Sequence, residues 1–217
     1  MLVIPSQISA VPAYGTHMPG KHKLFAGVEY NFVIEREFQN NHGRVKNPDQ
    51  FLMLSYGLCE WLSIDLKGGC GKIEYKDSEA GDQDFSTSFA GAYGFRLRLW
   101  EDKEKNLKLV TGFQHISVHP RHTHTSLGKY AAVVDEWQGS FLGSVRIKQF
   151  VPYLGLKYET YDLIRWIDST HRKRYKSKGN WGPVLGTDFW INKSWKLNLE
   201  CQLLGEKSAS ASLGFDF

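Results

Sequence analysis

The chain contains no run of eighteen or more apolar residues, so it has no stretch that could cross a bilayer as a helix. It has only three cysteines, Cys59, Cys70 and Cys201, which cannot all pair and show no metal-ligand spacing. They read as small apolar residues, and neither a metal nor a cofactor is expected. Charge of one sign is scarce as well. Lys and Arg number 27 against 23 Asp and Glu, a net charge of +4, too little to argue for nucleic acid. No basic segment precedes Val11-Pro12-Ala13, the small-residue end that a secretory leader would carry. Residues 1–22 are therefore expected to be a signal remnant or a periplasmic lead-in, and residues 23–217 one domain with a full core.

Aromatic residues, by contrast, make up 14% of the 217 positions, and there are 21 glycines. Mean hydropathy is −0.39, but strands that alternate apolar and polar residues defeat any such average. The last eleven residues alternate in this way. Ala209, Ala211, Leu213, Phe215 and Phe217 share one parity, and Ser208, Ser210, Ser212, Gly214 and Asp216 the other. Such a segment is a β-strand with one apolar and one polar face. It resembles the closing strand of bacterial outer-membrane β-barrels. That resemblance implies recognition by the barrel-assembly machinery through Phe217 and the apolar residues at every second position before it.

The rest of the chain repeats the pattern. Leu24, Ala26, Val28, Tyr30, Phe32 and Ile34 oppose Gly27, Glu29, Asn31 and Glu35. Leu52, Leu54, Tyr56 and Leu58 share a face, as do Leu62, Ile64, Leu66 and Cys70. From Phe85 to Leu99 the odd positions point one way, with Arg96 and Arg98 on the other side. Further strands are predicted over 107–118, 133–148, 154–159, 181–191 and 197–203. Short connections near 60, 103, 150 and 193 alternate with longer ones at 39–48, 76–84, 119–132 and 162–180, and Gly205-Glu206 makes a short fifth outer turn. The expected fold is all-β: one closed antiparallel up-and-down transmembrane barrel of about ten strands. A lipocalin-like barrel or a sandwich would bury the apolar face inward, and so charged an inward set argues against it. The barrel is expected to be monomeric and integral to the outer membrane of a diderm bacterium, with both termini periplasmic.

The inward set holds Glu29, Asp65, Lys67, Arg96, Arg98, Lys108, Arg146, Lys148, Lys157, Glu159, Asp188 and Glu200. Ten strands enclose a lumen that side chains can fill, whereas open channels appear at about sixteen. Buried charges need partners, so the expectation is a salt-bridged plug, with a narrow pore as the alternative.

Two stretches carry candidate chemistry. Gln114-His115-Ile116-Ser117 is similar to the His-x-Ser element of outer-membrane lipid hydrolases, the outer-membrane phospholipase and the lipid A deacylase. The resemblance implies a lipid-facing Ser nucleophile and a His base oriented by a third group; where those families commonly carry Asn after the serine, this chain has Val118. Parity sets His115 and Ser117 on the lipid side. A hairpin symmetric about residue 125 puts His115 opposite Asp135, so Ser117, His115 and Asp135 take the three triad roles. His119, His122 and His124 sit in a loop without the fixed geometry of a metal site. The second stretch is the loop 162–180, with Arg165, Arg172, Lys173, Arg174, Lys176 and Lys178 around Trp166 and Tyr175. Clustered cations there suit the phosphates of lipopolysaccharide and outer-membrane lipids. One basic loop is not a basic face, so nucleic acid is not expected. The leading expectation is a structural or surface-interaction role through the outer loops, with lipid hydrolysis and a narrow pore as alternatives.

Overall fold

The computed structural model describes residues 15–76, 82–125, 128–167 and 171–217. Among them alternation produces twelve strands: β1 (Leu24–Glu37), β2 (Arg44–Cys59), β3 (Leu62–Lys76), β4 (Gln83–Asp102), β5 (Leu107–Val118), β6 (Thr123–Thr125), β7 (Gly128–Val145), β8 (Phe150–Ile167), β9 (His171–Lys176), β10 (Trp181–Trp190), β11 (Trp195–Gln202) and β12 (Lys207–Asp216). Ten of them form an antiparallel ring that β1–β12 and β7–β8 pairing closes. The short β6 continues the line of β5 against β7, and β9 continues the line of β10 against β8. No described helix is long and apolar enough to cross a membrane; the strands do the crossing.

Register fixes the barrel's shape. Stepping from Val28 through β2, β3, β4, β5 and β7 reaches β8 at Asp162. Stepping the other way through β12, β11 and β10 reaches β8 at Phe150. The difference, 162 minus 150, is a shear of twelve residues. With strands about 4.8 Å apart and about 3.3 Å per residue, this gives a tilt of about 40° and a backbone radius of about 10 Å. Side chains can fill a lumen of that width.

Strand β3 shows where the barrel leaves the lipid. Near the end with the short turns, Ile64 and Leu66 point out while Ser63, Asp65 and Lys67 are buried inside. Toward the loop end the same strand inverts. Ile73 and Tyr75 point in, and Lys72, Glu74 and Lys76 point out. Strand β7 repeats the change on its inner face, where Tyr130, Ala132 and Val134 give way to Glu136 and Gln138. Apolar-out with polar-in belongs to lipid, and the reverse belongs to water. The loop end therefore rises out of the bilayer on a core of its own, built from Phe38, Val45, Ile73, Phe85, Val118, Val134 and Leu163 with Tyr161 and Tyr175. Exposed aromatics mark both edges of the apolar band: Trp61, Trp100, Phe150, Trp195 and Phe217 toward the turn end, Tyr30, Phe89, Trp137, Tyr158 and Trp181 toward the loop end.

The ten-stranded closed barrel matches the expectation, and its departures have local causes. A register shift in β1 between Val33 and Glu35 reverses parity, so Ile34 and Arg36 are buried while Glu35 turns out to pair with Arg44 and Lys207. A second shift between Gly71 and Ile73 buries Phe85, expected to face lipid, and leaves Ser86 and Thr87 exposed. Much of the expected loops is strand, since β2 begins at Arg44 and β8 runs to Ile167 before folding back as β9. Strand β7 ends at Val145, so Arg146 and Lys148, expected in the lumen, are exposed at the turn end.

Residues ahead of β1 cross the turn-end mouth. Thr16 is buried there and its hydroxyl donates to Ser144 Oγ at 2.8 Å. His17 sets its ring edge-on to Phe25 and Trp190, with Nε2 3.0 Å from Asp216 Oδ1, and Arg96 donates to its carbonyl. Val11-Pro12-Ala13 lies outside the described residues.

Candidate functional site

The membrane zone of the lumen is filled by ion pairs. Lys67 Nζ donates to Glu29 at 2.7 Å, Arg96 grips Asp65 through Nε and Nη2, and Lys196 lies 3.0 Å from Asp188. At the centre stands Arg36, whose Nη2 contacts Glu159 at 2.6 Å and also Glu206, while Nη1 lies 3.6 Å from Glu136. Lys157 adds a 2.8 Å contact to Glu159, and the Arg36 guanidinium sits 4.2 Å over the Tyr161 ring. Glu29, Arg96, Lys157 and Glu159 thus lie in the lumen as expected, whereas Arg98 sits near the turn end, paired with Glu101 at 2.7 Å. Sequence patterning missed Arg36 because of the bulge before it. It missed Glu206 because Gly205, at φ +77°, turns the chain so that the next side chain enters the barrel.

On the outer face, β5 and β7 place the sequence-predicted triad at the edge of the apolar band, above Phe113 and Trp137. His115 and Asp135 do meet, with Nε2 2.8 Å from Oδ1. The His115 ring packs 4.2 Å from Trp137 and 5.0 Å from Tyr93. Ser117 does not join them. Its Oγ lies 2.7 Å from Nε2 of His119, with the Val134 carbonyl 3.3 Å away as a second acceptor. Ser117 pairs across from Asp135 and His115 from Trp137, so the hairpin is symmetric about residue 126, not 125. With His115 Nε2 committed to Asp135, the serine's partner on the same strand face is the histidine that follows it. When His119 Nε2 carries no proton, the Ser117 hydroxyl donates to it.

Much of the basic loop is strand, in β8 and β9. Arg172, Lys173, Arg174, Lys176 and Lys178 are exposed. Arg174 contacts Asp162, whose carboxylate holds the guanidinium pKa above its usual value, and Lys178 lies 3.2 Å from Glu37. Arg165 departs from expectation: it is buried inside the loop-end core. It donates to Gln83 at 2.7 Å and lies over the rings of Tyr75, Tyr130 and Tyr175, because residue 165 falls on the inward parity of β8. His124 has no described side chain.

A closed ten-stranded wall, apolar outside and ion-paired inside over the width of a bilayer, defines a transmembrane β-barrel. No protein-family model matches the chain, and no curated protein does. Solved structures similar to it include the β domain of the Bordetella autotransporter BrkA (11% identity, TM-score 0.46, 90% of this chain and 98% of that one). Others are an outer-membrane channel from Pseudomonas putida F1 (13%, 0.44, 99% of each) and the outer-membrane protease OmpT of Escherichia coli (12%, 0.43, 93% and 96%). No activity is carried over from any of them.

Proposed function

We propose that this barrel is a surface-interaction protein whose cationic β8–β9 hairpin holds lipid phosphates at the outer leaflet, as in lipopolysaccharide. In this arrangement the turn end and both termini face the periplasm, the chain acts as a monomer, and the exposed Phe217 is the residue that the assembly machinery engages. The observation that carries it is the placement of Arg172, Lys173 and Lys176: all three are exposed on a hairpin standing above the apolar band, beside a lumen packed with side chains. Cations near an anionic membrane surface contribute about 1 kcal/mol each. Replacing Arg172, Lys173 and Lys176 by Gln should therefore weaken binding of lipid A to the vesicle-embedded protein by about a hundredfold. Dephosphorylated lipid A should bind the native protein as poorly. Equal binding by the triple variant would sink the proposal.

A second function is favoured by one contact, the 2.7 Å between Ser117 Oγ and His119 Nε2 at the membrane–water boundary. There Ser117 would attack the carbonyl carbon of a lipid acyl ester while His119 takes its proton and returns it to the leaving alcohol. His115–Asp135 then serves as the adjacent wall of the site, not as the base. Acyl release by the refolded protein should vanish in Ser117→Ala and His119→Ala but survive in His115→Ala. Activity unchanged in Ser117→Ala removes the hydrolase.

A further inference from the structure

The centre of the lumen holds more buried negative charge than its cations can balance. Around Arg36 and Lys157 stand Glu136, Glu159, Glu206 and Asp49, all almost fully buried, an excess of two negative charges. The carboxylates of Glu136, Glu159 and Glu206 gather within 4.8 Å of one another, but Arg36 and Lys157 already fill the space between them. Several buried polar atoms without a hydrogen-bond partner lie beside that group. Asn31 and Asp49 face each other across β1 and β2, and Asn47 is two residues from Asp49 on the same inward face. Asn47 Nδ2 donates to Asp49 Oδ2 at 2.5 Å. The Oδ1 atoms of Asn31, Asn47 and Asp49, and Nδ2 of Asn31, are buried and have no hydrogen-bond partner. Orphaned oxygens at full burial carry a large desolvation cost.

We propose that this cluster binds one hard divalent cation of the calcium class, coordinated by the Oδ1 atoms of Asn31, Asn47 and Asp49 with Glu136 as the neighbouring carboxylate. The sequence alone suggested no metal. Three chemical facts support the site. Carboxylate and amide oxygens are the donors that calcium prefers, and the absence of nitrogen or sulfur donors disfavours zinc and copper. Two positive charges cancel the excess. Gly71 faces Asp49 from β3, and a Cβ there would come within 2.0 Å of Asp49 Oδ1, so the missing side chain leaves this carboxylate oxygen its place. The apolar core above and the residues 15–19 segment below close the lumen, so the ion would be taken up as the barrel assembles.

The test is delipidated protein refolded into detergent with calcium chloride or with a chelator, followed by metal analysis and by terbium luminescence sensitised through Tyr161. One calcium per chain is expected, with the folded, heat-modifiable gel band surviving to a higher temperature than in the chelator sample. Asp49→Asn should bind at least about tenfold more weakly, and Asn47→Ser should do the same should Asp49→Asn not fold. Native protein that refolds equally well in chelator and retains no calcium overturns the proposal; the excess charge is then met by protons. Calcium retained equally by both variants overturns it too, since the ion would sit elsewhere.

Discussion

Arg36 is the strongest test of how the lumen is held together. It is fully buried, touches three carboxylates and stacks on Tyr161. Arg36→Met keeps much of the volume but takes from Glu136, Glu159 and Glu206 the cation they share. Removing one partner of a buried pair costs about 3–5 kcal/mol, and the lost stacking adds about 1–2 kcal/mol. Set against about 5–15 kcal/mol of total stability for a typical domain, that is about a quarter or more. Urea titration in detergent, read by unboiled gel mobility and tryptophan emission, should show the midpoint fall accordingly. Arg36→Lys should be intermediate, because an ammonium cannot reproduce the planar fork whose Nη2 meets Glu159 and Glu206 while Nη1 faces Glu136. Arg36→Met with Glu206→Gln should recover at least half the loss, since one of the stranded charges is gone. An Arg36→Met barrel within about 1 kcal/mol of the native one would refute the network account and leave the wall alone as the source of stability.

Three further outcomes follow from the same geometry. Burial, reinforced by Lys196, pushes the His17 pKa from 6.5 down to about 4. The folded barrel thus prefers neutral histidine; this contribution is complete above pH 6.5 and is lost as pH falls toward 4, by up to about 1.4 kcal/mol per pH unit. His17→Gln should flatten that part of the melting-versus-pH curve, and an unaltered curve would count against it. Leu66→Arg, in the apolar band of β3, should cost about 2–4 kcal/mol in vesicles, while Thr87→Arg above the boundary should cost almost nothing; equal effects would show the boundary misplaced. Phe85→Ala should cost about 3–5 kcal/mol by opening a cavity in the loop-end core, measured by the same urea titration, whereas a lipid-facing Phe would cost far less.

How much of this was legible in the sequence depended on whether period-two parity survived. Where it did, along Leu52–Leu58, Ser63–Lys67 and Ala209–Phe217, the side of every residue reads directly from its position. Where a bulge intervened, parity reversed without any warning from composition; Arg36 was missed and Phe85 misassigned for that reason. The fate of 162–180 has a different cause. Its cations look like a solvated loop, yet backbone pairing continues past the bilayer, where polar-out residues are what a strand in water should carry. Arg165 then falls inward by parity alone. The triad shows the limit of spacing arguments: His115 and Asp135 met although the turn was misplaced by one residue, since diagonal neighbours across a strand pair still touch. Ser117 found His119 because it lies two residues on, on the same face.

The inversion along β3 also bears on the pore alternative. A pore needs a polar path from end to end, but the ion-paired zone stops at the apolar core of Phe38, Ile73, Tyr75 and Leu163, and residues 15–19 cross the other mouth. Planar bilayers should therefore stay silent, and stepwise conductance would mean that this core opens. What remains for chemistry is the outer edge, where the wall passes from lipid to water. Ser117, Asp135, Asp162 and Arg174 lie on β5, β7, β8 and β9 at or above that edge, and His119 follows directly after β5. Headgroup phosphates and acyl esters occupy the same few ångströms of a bilayer. In the two proposed readings, cation binding by the hairpin and attack by Ser117 would draw on one lipid region, and the substitutions separate them: the charge changes should alter affinity, the Ser117 change turnover alone.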